Sequence, residues 1–239
     1  MPTRPIALVT GASRGIGRAI ALRLAATHDV LAAARSARDL ATLAAEIGAR
    51  GGRCEPVVVD VADPASVASA LAGREADVLV NNAGVGTLKP LLELTPAEWH
   101  AMVDVNFNAL YHVTRAVLPG MVARGHGHVV IVGSIAGRSA FVGGAGYAAT
   151  KHAAMGFAES LMLEVRDAGV KVSIVNPGSV ATHFSSSLGE GTPDARREKK
   201  GQLLAGDVAE AVAAVIATPP EVLLHRVEVR ILSPKRPRE

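Results

Sequence analysis

Short runs rich in β-branched and aliphatic residues alternate along this chain with longer stretches rich in alanine and leucine. The short runs are 5–10 (PIALVT), 30–34 (VLAAA), 56–59 (PVVV), 78–81 (VLVN), 128–132 (HVVIV), 172–175 (VSIV) and 227–232 (VEVRIL), and each reads as a strand. Segments 15–27, 38–49, 64–72, 96–118, 147–167 and 207–217 read as helices. A strand that feeds a helix and then another strand joins its neighbours by right-handed crossovers, which gives a parallel sheet covered on both faces. The expected architecture is therefore a doubly wound α/β fold with a seven-stranded, predominantly parallel sheet.

The length of 239 residues, 49% of them hydrophobic and 20% charged, suffices for one large core, and no Ser/Pro-rich linker divides the chain. One domain spanning residues 1–239 is expected. Thr95-Pro96-Ala97-Glu98 carries a capping hydroxyl, a proline at the first helical position and a glutamate three residues after the cap; Asp63-Pro64 is a simpler version. A single cysteine, Cys54, cannot form an internal disulfide. No secretory leader pattern opens the sequence, and no apolar run reaches the roughly 18 residues of a membrane helix. A cytoplasmic protein without membrane insertion is the expectation. The formal net charge is only +3, and the basic residues are scattered apart from the 196–200 cluster and the carboxyl-terminal tail. With no aromatic interleaving, nucleic acid is not the expected partner.

Ligands of such a sheet bind beyond the carboxyl ends of the strands. After the first strand comes Thr10-Gly11-Ala12-Ser13-Arg14-Gly15-Ile16-Gly17, opening straight into a helix. Glycines let the backbone approach a pyrophosphate, and the helix amino end supplies free N–H groups with partial positive charge. No Gly-Lys-Ser/Thr closes the turn, so it is not a nucleotide-triphosphate loop. The second strand ends at Ala34-Arg35-Ser36, where a carboxylate would accept from the ribose hydroxyls of NAD. Here Arg35 stands instead, with Arg14 nearby, so a 2′-phosphate and hence NADP(H) rather than NAD(H) is expected. By the same rule of strand ends, Asp60 and Val61 should frame the adenine, and Asn82, Ala83 and Gly84 should let the backbone pass the ribose.

TGASRGIG, NNAG at 81–84, and Ser134 followed by Tyr147 and Lys151 resemble the motifs of the short-chain dehydrogenase/reductase family, in its order and spacing across residues 6–182. The resemblance implies a single Rossmann-type domain that moves hydride reversibly between nicotinamide and a carbonyl or secondary alcohol. It implies that Ser134 binds the substrate oxygen, that Tyr147 is the general acid/base, and that Lys151 holds the nicotinamide ribose. Asn106, rather than Asn108, resembles the family's fourth catalytic position, which holds a water linking the lysine to solvent. Asn176-Pro177-Gly178 with Val180 and Thr182 resembles the loop beside the nicotinamide carboxamide. The segment at about 183–205 would cover the substrate. Tyr147 and Lys151 lie one helical turn apart on one face. A lysine cation within about 4 Å of the phenol, at an effective dielectric near 20, contributes roughly 4 kcal/mol of attraction to the phenolate, an upper estimate of about three pKa units of lowering.

Small residues on the fifth helix (Ala148, Ala149, Ala153, Ala154, Gly156, Ala158) permit close helix approach, and the resemblance suggests a homo-oligomer, a tetramer or a dimer, built partly there. Phe141, Val142, Phe184 and Leu188 point to partly apolar substrate walls. His126 and His128 lack a third nearby metal ligand, and His152 points about 100° away from Lys151 around the helix. Arg196, Arg197, Lys199 and Lys200 form either a solvated helix or a contact for an acidic or carrier-bound substrate. A catalytically inactive dinucleotide-binding scaffold is the competing expectation; it would show damage among Ser134, Tyr147, Lys151 or Asn106, and all are present. The substrate itself is not readable.

Overall fold

The structure is a computed structural model that describes residues 4–182 and 201–232. Strands β1 (Ile6–Thr10), β2 (Asp29–Ala34), β3 (Cys54–Val58), β4 (Val78–Asn81), β5 (Gly127–Val132), β6 (Val170–Pro177) and β7 (Arg226–Val229) form one sheet. All neighbours run parallel, in the order β3-β2-β1-β4-β5-β6-β7. The chain reverses its direction of progress across the sheet between β1 and β4, which opens a crevice at their carboxyl ends.

Seven α-helices cover the two faces among the described residues: α1 (Gly15–Leu24), α2 (Ala37–Ala49), α3 (Pro64–Leu71), α4 (Pro96–Val103), α5 (Ala109–Arg124), α6 (Ala145–Val165) and α7 (Ala205–Ile216). The period of two along a strand decides which face each side chain joins. Leu8 of β1 enters a core with α3, α5 and α6, whereas Ala7 and Val9 enter one with α1, α2 and α7. Leu8, Ile20, Leu40, Leu79 and Ile174 are fully buried, and each contributes about 1.5–3 kcal/mol by leaving water.

Several boundaries differ from the sequence expectation. The last strand stops at Val229 rather than 232, β3 begins at Cys54 rather than 56, and the first helix ends at Leu24 rather than 27. The larger difference lies in 96–118, expected as one helix. It is α4 and α5 joined by a π-helical turn, Asp104–Asn108, in which the Ala109 N–H reaches the Asp104 carbonyl five residues back. Apolar periodicity cannot register one inserted residue, yet such turns often accompany functional side chains.

Three helices start on side-chain caps. Ser36 accepts from the Asp39 N–H at 3.3 Å, Asp63 from Ala65 at 2.9 Å, and Thr95 forms the full capping box with Glu98. Helix α1 has none, and no acidic residue in its first turn. On α6, Ala148, Ala154 and Ala158 are buried within the subunit, whereas Ala149 and Gly156 are exposed. No helix among the described residues is long and apolar enough to cross a membrane.

Candidate active site

A cavity of about 650 Å3 lies at the reversal of strand order, within the roughly 300–1,000 Å3 typical of small-molecule sites. Its first wall is the turn from β1 into α1: Gly11, Ser13, Arg14, Gly15 and Ile16. Gly11 and Gly15 adopt φ of +66° and +57°, a region that side chains disfavour. Gly17 does not face the cavity; a Cβ there would collide with the Gly11 carbonyl oxygen and Asn82 Nδ2. Its role is to let α1 start directly behind the turn, and the uncapped amino end of α1 faces the cavity.

Thr10 holds the opposite loop against this turn. Its Oγ1 accepts from the N–H groups of Asn82 and Ala83 at 3.0 and 3.1 Å, and its carbonyl accepts from Asn82 Nδ2 at 2.9 Å. Asn82, Ala83 and Gly84 thereby present backbone to the cavity, beside Asp60 and Val61 from the end of β3. The Asp60 carboxylate accepts from the Ala62 N–H at 3.0 Å, which fixes its turn. Arg35 lines the cavity at the end of β2; Ser36 does not, being spent on capping α2.

The catalytic candidates converge at the other end of the crevice. Ser134, Tyr147 and Lys151 all line the cavity, as do Pro177, Gly178, Val180 and Thr182. Asn176 steers Ser134: its Oδ1 accepts from the Ser134 N–H at 3.1 Å. Lys151 is buried, donates to the Val132 carbonyl at 3.2 Å, and has its Nζ 5.8 Å from the Tyr147 ring centre. The π-helical turn buries Asn106, whose amide clamps two elements. Its Oδ1 accepts from the Val85 N–H at 2.8 Å, while its Nδ2 donates to the Val85 carbonyl at 2.9 Å and to Thr150 Oγ1 at 3.0 Å. Thr150 in turn donates to the Tyr147 carbonyl at 2.8 Å. Asn108 is turned away and donates to Asp104 at 2.8 Å.

The electrostatics correct one expectation. Burial pushes the Tyr147 phenol above its ordinary value, and the side-chain hydrogen bond with Ser134 opposes that only in part. Burial pushes Lys151 down to about 8. The spacing of Tyr147 and Lys151 gives their common face, and burial reverses the direction of the tyrosine's shift.

These features suit a dinucleotide: a glycine cradle that a side chain would fill, an uncapped helix end, and Arg14 and Arg35 at the wall where a ribose phosphate would lie. A sequence profile described as short chain dehydrogenase matches residues 5–193. The chain belongs to the short chain dehydrogenase family. Among its curated relatives, the chain is 36% identical over 225 residues to the 3-oxoacyl-[acyl-carrier-protein] reductase FabG of Escherichia coli, covering 87% of this chain and 88% of that one. It is 36% identical over 235 residues to the NADP-dependent 3-hydroxy acid dehydrogenase YdfG of Salmonella typhi, covering 94% of each. The crystal structure of a metagenomic short-chain oxidoreductase in complex with NADP superposes with a TM-score of 0.82 at 35% identity, covering 95% of this chain and 97% of that one.

Within this short chain dehydrogenase, the cavity gathers every site residue expected from the sequence except Gly17, Ser36 and Asn106, which do not line it. Sequence reasoning missed Thr10 and Thr150, whose hydroxyls bond backbone groups brought near only by folding, and Ala101 and Val105, which reach the cavity from the α4 segment. Val142, expected in the substrate wall, is 98% exposed at a loop tip and does not line the cavity; Phe141 does. Phe184, Leu188 and the 196–200 basic cluster lie outside the described residues.

Proposed function

We propose that this protein is an NADP(H)-dependent oxidoreductase that reversibly interconverts a carbonyl and a secondary alcohol. The observation that carries the reading is the hydrogen-bonded pair Ser134–Tyr147 in the same cavity as the glycine turn of β1 and α1. When bound, the reduced coenzyme supplies hydride to the carbonyl carbon. Ser134 holds the substrate oxygen, donating to it as negative charge develops. Tyr147 donates its proton to that oxygen; a phenol raised by burial is fully protonated at neutral pH, the form reduction requires. Lys151, with its ammonium beside Gly84, is placed to hold ribose hydroxyls and to recharge Tyr147 with a proton. Asn106 acts in this account through its clamp on Val85 and Thr150, which sets the loop after β4 against the helix that carries Tyr147 and Lys151. Arg35 and Arg14 take the 2′-phosphate.

The curated relatives bear names for both acyl-carrier and hydroxy-acid substrates, so they leave the substrate of this chain open. The exposed stripe Ala149, His152 and Gly156 on α6 supports assembly into a homo-oligomer, which light scattering tests. The chemical test is Tyr147→Phe, which removes one hydroxyl. NADPH affinity and the melting temperature should hold, while kcat falls by about 10²-fold or more. A Tyr147→Phe variant that still turns over a ketone at the wild-type rate would overturn the assignment.

A further inference from the structure

Resting on the oxidoreductase reading, we infer that Asn176 is a positioning residue for the reaction: it holds the Ser134 backbone so that the serine hydroxyl meets Tyr147 and the substrate oxygen. Asn176 is fully buried near the end of β6 and does not line the cavity, so it acts through Ser134 rather than on the reactants.

The requirement arises where the sheet ends. The register of β5 with β6 stops at Val132 and Val175, and Pro177 has no N–H with which to extend that ladder. The Gly133 N–H still reaches β6 backbone, donating to the Val175 carbonyl at 2.8 Å. Successive N–H groups of an extended strand point to opposite sides, so the Ser134 N–H would turn away from β6 if the strand simply continued. It donates instead to Asn176 Oδ1 at 3.1 Å. The Asn176 side chain thus takes over where the backbone ladder runs out, and draws Ser134 toward β6. Gly133 makes room for the carboxamide, since a Cβ there would collide with Asn176 Oδ1.

With its backbone held, the Ser134 hydroxyl is fixed from a second direction. Its Oγ accepts from the Ala136 N–H at 3.1 Å, at the start of the short turn Ile135–Gly137. The serine proton is then left for Tyr147, and that hydrogen bond opposes the upward pull of burial on the phenol. Stability alone does not account for the amide. Asn176 Nδ2 is buried without an acceptor among the described residues, an arrangement that disfavours folding and that an apolar side chain would avoid. A buried donor left unmet calls for a reason, and placement of a reacting group supplies one.

Tyrosine NMR tests the placement without a substrate. The chain has two tyrosines, and Tyr111 is exposed on α5, so full-length protein labelled at tyrosine Cζ gives two resonances that Tyr147→Phe assigns. Ser134→Ala measures how far the Tyr147 resonance moves when the serine hydroxyl is lost. Asn176→Ala should reproduce at least half of that displacement with Tyr111 unmoved. Asn176→Asp, which keeps an oxygen facing the Ser134 N–H, should restore the wild-type position. Reduction of acetophenone by the NADPH-loaded enzyme reads the consequence. Asn176→Ala should lower kcat by about tenfold to a hundredfold with KM for NADPH unchanged, the scale on which a misplaced reacting group is felt. Asn176→Asp should stay within about threefold of wild type. In a Ser134→Ala background, Asn176→Ala should cost less than about twofold, because the two residues act as a unit.

A Tyr147 resonance that does not move in Asn176→Ala, or a loss of kcat equally large with and without the serine hydroxyl, would overturn the inference. Hydrogen exchange of the wild type keeps it falsifiable should Asn176→Ala not fold: slow exchange of the Ser134 N–H supports the hold, and exchange at the rate of an unbonded amide would sink it. A wild type inert toward acetophenone, with the resonances displaced as expected, would count against the oxidoreductase reading and leave the hold of Asn176 on Ser134 standing.

Discussion

The two ends of the cavity are built from different material. At the β1–β2 end, the wall is largely backbone: Gly11, Gly15, and the loop 82–84 that Thr10 ties down through two amides. At the β5 end, the wall is side-chain surface from Leu88, Ala101, Val105 and Phe141, delivered by segments that meet only through folding. A backbone wall demands particular residues, because only glycine fits left-handed φ and close approach without strain. An apolar side-chain wall demands only volume and lack of charge, which many residues satisfy. The first end therefore tolerates little change, and the second is free to vary with the substrate.

The most severe test of that contrast is Gly17→Val. The added side chain would strike the Gly11 carbonyl and Asn82 Nδ2, so the glycine turn proposed to cradle the coenzyme must move. Overpacking of this kind costs about 1–3 kcal/mol of stability, and a misplaced binding turn can cost about 10²-fold in the step it supports. NADPH titration by fluorescence should record that loss even though Gly17 does not line the cavity. Unchanged affinity would mean that the cradle is not rigid, and the contrast between the ends would fall.

Lys151, where the two ends meet, gives the next effect. Its value in the fold is about 8 against an ordinary 10.5, so between those limits the unfolded chain binds more protons than the native one. Stability should therefore rise as pH climbs through this window, and the full penalty of the buried ammonium is present below about pH 8. The shift corresponds to about 3 kcal/mol. Lys151→Met should lose turnover yet melt higher than wild type at pH 7, and the advantage should shrink toward pH 10. Paired melts at the two pH values decide it; a variant that melts lower at pH 7 would show that the lysine stabilises the junction rather than straining it.

This division of material also explains what could be read in advance. The parallel sheet followed from strand and helix alternation, and the coenzyme wall from glycines and from Arg35, because each of those residues answers a local backbone or charge requirement. Ser134, Tyr147 and Lys151 were legible as a spaced set. The break at Asp104–Asn108 was not, since a π-helical turn leaves the apolar pattern nearly unchanged. Nor were Ala101 and Val105, ordinary helix residues whose importance arises only from what packs opposite them. The tyrosine's shift was misread for a related reason: spacing along a helix gives proximity to Lys151, but the burial that outweighs it depends on the whole cavity.

If the two ends work independently, damage at one should be silent at the other. Arg35→Ala removes a charged donor from the coenzyme wall, and loss of such hydrogen bonds costs about 1.5–3 kcal/mol, or about tenfold to a hundredfold in KM for NADPH. KM for NADH and for the ketone should hardly move. Phe141→Ala acts on the opposite wall; because Phe141 is already 43% exposed, only part of its surface is available to bury a ligand. A loss near 1 kcal/mol, about fivefold in kcat/KM for a bulky neutral ketone, is expected, with the coenzyme constants unchanged. The double variant should show the product of the two effects, since the sites share no described contact. A departure from that product beyond about twofold would mean that coenzyme and substrate walls move together, with Tyr147 and Lys151 on α6, which lies between them, as the first place to seek the coupling.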